Sequence, residues 1–412
     1  MTWGRRALVR LHRYAGLAIA GVLVVAGLTG SLLAFLHELE GALNPHHRLA
    51  EPEGAAFEPL AVREAVLQRM PQARVDALPL HREAGEALHL WIEVPDPARP
   101  DEWVSMALVL DPFSARELSR RSTEIWPLNR QNLMAFVYRL HYSLALGDIG
   151  LWLFGMAALV WTLDCFVGAW LTLPRRPAHR VSGHRTERVR RWYARWAAAW
   201  RVGWHSSTHR TSFDLHRAAG LWTWAMLLAF AWSAVYFNLG EAVYKPVMRL
   251  VAGYAEMEPP EVDRQDPAGP TLSWAQAHRT GRALMAEQAQ RLGLHIRREQ
   301  MLSHDPESGV FRYAVLSDRD VSDKWGATLV VFDDVHGRLL ALELPTGQNA
   351  GRTLTHWIVA LHTAAFWGLP MKLFVCGMGL VVAGLSLTGA YLWLAKRRAL
   401  ATARRWWRAR PD

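Results

Sequence analysis

The chain has 412 residues, of which 51% are hydrophobic, and a formal charge of +10. Its two cysteines, Cys165 and Cys376, both lie in long apolar runs, so the outward-facing parts hold no disulfide and no thiolate metal site. The basic excess is not a nucleic-acid footprint: 22 of the 47 Lys and Arg residues sit in 1–13, 174–217 and 396–412 beside only three acids, and the remaining chain is net acidic.

In chain order, the basic stretch 1–13 runs into an uncharged segment over 14–36, long enough to cross ~30 Å of hydrocarbon as a helix. Its length and the missing small-residue cleavage site make it an uncleaved anchor rather than a signal peptide. Transmembrane helix 1 is thus placed at 14–37. The segment 38–147 carries a helical stretch at 60–70 and two strands, ALHLWIEV at 87–94 and VSMALVLD at 104–111. Helix 2, at 148–173, has one acid within its apolar run 149–173, Asp164, which is costly there unless it faces the bundle, bonds a histidine or carries a proton. A basic loop at 174–217 leads to helix 3 at 218–239. The segment 240–367 follows, with a linker at 259–270, a helical stretch at 272–292 and strands VFRYAVL at 310–316 and ATLVVFDD at 327–334. Helix 4, at 368–395, precedes the basic tail 396–412. In both segments an Asp, Asp111 or Asp333, and then Ala115 or Gly337, mark a hairpin turn between strands. Trp152, Trp161, Trp170, Trp222, Trp367 and Trp393 fall in or at the edges of the spans and read as interfacial anchors, and the basic stretches place both termini and the middle loop in the cytoplasm.

The halves repeat. LHRYAGL at 11–17 and LHRAAGL at 215–221 share six of seven residues, and Leu140, His141, Gly147, Gly168, Ala169 and Leu171 recur 221 positions later as Leu361, His362, Gly368, Gly389, Ala390 and Leu392. A side chain kept in both copies has been constrained twice. The fold class is therefore an integral membrane, α-helical four-helix transmembrane bundle with two small periplasmic α+β domains and an internal duplication. A histidine stands at the start of each membrane helix.

These motifs, with LHYSLALGDIG at 140–150, LHTAAFWGLP at 361–370 and LTGAYLWLAKRR at 387–398, make the chain resemble the PepSY-associated transmembrane family of bacterial inner-membrane proteins over nearly its whole length. The resemblance implies PepSY-like periplasmic domains and includes ferric-siderophore reductases with two b-type haems in a four-helix bundle. Non-covalent haem b needs axial ligands, and His12 with His216 at the cytoplasmic ends, and His141 with His362 at the exported ends, supply two imidazole pairs roughly 20 Å apart. Gly16 and Gly220, four residues after His12 and His216, face the same side, where small residues serve either a planar cofactor or close helix packing. His37 and His356 are further candidates at the exported surface, whereas His179, His184, His205 and His209 read as loop residues.

The function expected is a haem oxidoreductase that takes electrons from a quinol or a cytoplasmic reductase and reduces a ferric siderophore or other ferric chelate in the periplasm. No GxGxxG fingerprint is present, so the electron donor is another molecule. The alternative is a membrane-anchored regulatory or binding protein, which needs no paired histidines. A proton-coupled transporter built on Asp164 ranks lower, because the repeat-equivalent residue is Leu385.

Overall fold

A computed structural model describes residues 3–47, 49, 57–96, 98–99, 101–122, 128–174, 185–256 and 271–408. His179, His184 and the linker expected at 259–270 lie outside them. The elements are α1 (Trp3–Leu33), α2 (Leu36–Leu43), α3 (Pro59–Arg69), β1 (Ala77–Pro79), β2 (Leu88–Pro95), β3 (Trp103–Leu110), β4 (Glu117–Ser122), α4 (Leu133–Ser143) and α5 (Gly147–Thr172). There follow α6 (Arg185–Ala197), α7 (Thr208–Trp222), α8 (Trp224–Leu239), α9 (Lys245–Ala252), α10 (Trp274–Leu292), β5 (Ile296–Asp305), β6 (Val310–Ser317), β7 (Thr328–Asp333), β8 (Leu339–Glu343), α11 (Ala350–His362) and α12 (Gly368–Arg408).

Among the described residues, four helical stretches are long and apolar enough to cross a membrane: Gly4–Leu33, Gly147–Thr172, Trp224–Ala252 and Gly368–Thr402. Their outward surface exposes Leu28, Leu153, Leu163, Phe166, Leu380 and Leu387, as a lipid-facing bundle does. The first helix begins ten residues before the expected start, so His12 lies within α1, and Arg5 donates to the carbonyls of Leu171 and Leu173 at the end of α5. A cation there satisfies carbonyls that the helix itself leaves open.

His141 and His362 do not begin the second and fourth membrane helices. They sit on the short preceding helices α4 and α11, which are followed by left-handed residues, Leu144 and Ala145 after the first and Ala364 after the second. Gly147 and Gly368, at φ 58° and 57°, are the recurring glycines that let α5 and α12 start after those turns. The helix expected at 218–239 is likewise interrupted, at Thr223, between α7 with His216 and α8.

Helix α1 packs on α12 and α5, α5 on α8, and α12 on α7. At the α1–α12 seam, a Cβ on Gly27 or Gly379 would overlap the other's carbonyl oxygen, and Ser31 donates to the Cys376 carbonyl at 2.8 Å. Backbones this close need glycine. Gly379→Leu is expected to cost at least the ~1–3 kcal/mol of an overpacked core, measured as a lower melting temperature in detergent.

The two segments that lie between the membrane helices do not fold as separate domains. Strand β1 of the first pairs antiparallel with β5 of the second, Leu78 opposite Leu302, to give a five-stranded sheet β1-β5-β6-β7-β8 beside a three-stranded sheet β2-β3-β4. Leu78, Leu90 and Leu108 share one core with Met285, Phe311 and Phe332. A three-stranded sheet with one short helix buries too little by itself, and the common core supplies the missing cover. The Asp turns form as expected: Asp111 accepts from the N–H groups of Phe113 and Ser114, and Asp333 from those of Val335, His336 and Arg338. Ala115 takes φ 53° and Gly337 φ 69°. Burial acts to raise the Asp333 pKa, but the N–H donors and the Arg338 guanidinium outweigh it and hold it below its ordinary value.

Candidate functional site

The fold brings the four repeated histidines together as two pairs. His12 on α1 faces His216 on α7 with ring centroids 6.2 Å apart, and His141 on α4 faces His362 on α11 at 6.1 Å. Two imidazoles bound to one metal from opposite sides, with metal–nitrogen bonds of about 2.0–2.1 Å, place their ring centroids about 6–6.5 Å apart. Both pairs thus have the spacing of axial ligands before any rearrangement.

Each ring is also fixed through its Nδ1. That atom lies 2.9 Å from Asp164 in His12, 3.0 Å from Thr29 Oγ1 in His141, 3.0 Å from Thr388 Oγ1 in His216 and 2.6 Å from Ser233 Oγ in His362. A carboxylate oxygen can only accept. The hydroxyls accept too, because Thr29 donates its hydrogen to the Val25 carbonyl, Thr388 to Gly384 and Ser233 to Phe230. All four Nδ1 atoms are therefore donors, and all four rings keep the Nε2 lone pair for a metal. Such partners fix the tautomer and orientation of ligating histidines.

Glycine supplies the remaining space. A Cβ on Gly168 would stand 3.4 Å from His12 Cε1, one on Gly389 3.3 Å from His216 Cε1 and one on Gly30 3.0 Å from His141 Cε1. Gly168 and Gly389 are repeat equivalents, so their retention has a cause: the histidine of a neighbouring helix lies over each.

The first pair opens on a cavity of about 900 Å³, lined by Gly16, Gly220, Leu17, Trp161, Trp224 and Trp393. Trp161, Trp224 and Trp393 are thus cavity walls, whereas Trp152, Trp170, Trp222 and Trp367 stay exposed, as interfacial anchors would. A Cβ on Gly16 would touch nothing within 4 Å, and one on Gly220 only Leu385 at 4.0 Å. Close helix packing therefore does not explain these two glycines; they leave the cavity open. Arg5, Arg13, Arg217 and Lys396 also line it, as does His209, which the sequence read as a loop residue. Apolar walls with several cations among them match a flat ring bearing carboxylates. At the second pair, Phe154 flanks His141 at 6.2 Å, and Phe230 and Phe237 flank His362 at 5.3 and 5.4 Å.

Thr29 and Ser233 each follow the histidine of their own half, His12 or His216, by 17 residues. At 1.5 Å per residue, the second pair lies about 25 Å further along the helices than the first, slightly more than the spacing expected from depth alone. His37 is exposed on α2 and His356 half-buried on α11, and neither belongs to a pair. Among the described residues, no group of three or more His, Cys, Asp or Glu side chains could hold a metal ion. Each pair offers two ligands, which suits a metal that brings its own equatorial donors, as a porphyrin iron does.

No curated protein matches the chain significantly. One family model, described as the PepSY-associated TM region, matches residues 9–396, a span that includes all four paired histidines and all the cavity-lining residues but Arg5 and Ala399. The chain is a member of the PepSY-associated transmembrane family.

Proposed function

We propose that the protein is a haem b oxidoreductase of the bacterial inner membrane, carrying electrons across the bilayer to reduce a ferric chelate, such as a ferric siderophore, on the periplasmic side. The observation that carries this reading is the doubled pair of imidazoles at ligand spacing, each with Nδ1 committed as a donor. His12 and His216 would hold one haem and His141 and His362 the other; haem iron supplies reversible one-electron transfer.

The residues of the chain divide the remaining work. By the charge bias of the basic stretches, the first pair would face the cytoplasm, within reach of a quinol or a cytoplasmic reductase, and the sheets with the second pair the periplasm. Trp161, Trp224 and Trp393 would keep the first site apolar, and Arg13 and Lys396 in its lining suit the carboxylates of the ring. Reduction helps iron release because Fe(II) binds hard oxygen chelators less firmly than Fe(III). A regulatory anchor without redox activity makes no use of either pair.

The test is anaerobic mixing of dithionite-reduced, desalted protein with ferric citrate and an Fe(II)-specific dye. The reading expects the reduced haem band to decay as Fe(II) appears. A band that persists while no Fe(II) forms would remove ferric reduction.

A further inference from the structure

The four histidines are held alike except for one. His141, His216 and His362 donate to neutral hydroxyls, whereas His12 donates to a carboxylate that is 10% exposed and reaches its Nδ1 at 2.9 Å. The exception also breaks the repeat. Thr29 and Ser233 occupy matching positions, but with the 221-residue offset Asp164 corresponds to Leu385, and Thr388 to Val167. The partner of the first-pair histidine has thus moved by about one helical turn between the halves and changed from a hydroxyl to an acid.

A carboxylate bonded to Nδ1–H draws the proton toward itself and makes the imidazole a more basic, more electron-donating ligand. Stronger donation, together with a nearby negative charge, favours the ferric over the ferrous state and so lowers the reduction potential. The cations that line the cavity act in the opposite sense. Arg5 and Arg217, however, are engaged elsewhere, with the carbonyls of Leu171 and Leu173 and with Asp214 and Ala199. Asp164 is largely buried and directly bonded to the ligand, where the effective dielectric is lower and its effect larger.

We infer that Asp164 makes the His12–His216 site the lower-potential of the two, so that electrons entering at the basic end of the bundle run downhill toward the sheet-bearing end. Asp164 acts through His12 and is a positioning residue. The inference rests on the haem reading above and assigns each site its place in the sequence of transfer: the first accepts from the donor, the second delivers to the acceptor.

Redox titration of the visible spectrum tests it in the full-length protein. His362→Ala, which keeps only the first site, should titrate at a lower midpoint than His216→Ala, which keeps only the second. Asp164→Asn preserves shape and an accepting oxygen, and should raise the midpoint of the first site while leaving the second unmoved. If a single-site protein loses both haems, the same comparison is read in the otherwise native chain, where two waves should be resolved and only the lower should rise with Asp164→Asn. A first-site midpoint equal to or above the second, or one unmoved in Asp164→Asn, overturns the inference with the haem reading intact. Protein without haem in any variant overturns both.

Discussion

Replacing His216 with alanine is expected to remove one haem per chain and leave the other. Its ring is one of two at 6.2 Å around the first site, so truncation leaves His12 as the sole protein ligand there. Loss of a hydrogen-bond partner of a ligand typically weakens metal affinity about 10–100-fold, and loss of the ligand should exceed that. The second pair lies about 25 Å away along the helices and shares no side chain with the first, so the two losses should be independent. A pyridine haemochrome of purified His216→Ala should therefore give half the native haem, and His141→Ala the same through the other site. Native haem content in His216→Ala would break the proposed pairing.

Gly220→Leu separates a cofactor cavity from helix packing. The nearest atom to an added Cβ is 4.0 Å away, so the larger side chain should enter the cavity without displacing a neighbouring helix. The expected protein folds and melts as the native one does, yet lacks the first-site haem or holds it far more weakly. Gly168→Leu should lose the same haem by another route, because its Cβ meets the His12 ring at 3.4 Å and pushes the ligand away. If Gly220→Leu retained full haem content, the cavity would not be the binding space.

The histidine pairing was legible in the sequence because recurring motifs marked it: LHR recurs on α1 and α7, and LH before α5 and α12. Of the ring partners, Asp164 stood out as the one acid in its apolar run, but the hydroxyls did not, since Thr29, Ser233 and Thr388 are ordinary residues in apolar helices. Their signal was available in the equal spacing from His12 to Thr29 and from His216 to Ser233. Strands β2, β3, β6 and β7 announced themselves by apolar or alternating patterns. Strands β4 and β5, reading ELSRRS and IRREQMLSHD, are rich in charge, and β1 has only three residues. Missing β1 hid the fusion of the two sheet-forming segments, because the pairing of Leu78 with Leu302 joins residues far apart in sequence. The short helices bearing His141 and His362 were not legible ahead of the spans at 148–173 and 368–395, since Leu144, Ala145 and Ala364 take positive φ with no glycine to advertise the turns.

Whether each histidine pair holds a haem is read from the visible spectrum of the protein purified in detergent from haem-replete cells, oxidised and dithionite-reduced, with a pyridine haemochrome to count haem per chain. A sharp low-spin b-type α band on reduction and two haems per chain are expected. A chain that purifies folded and colourless would contradict the haem reading, and would leave the four imidazoles as hydrogen-bonded packing residues.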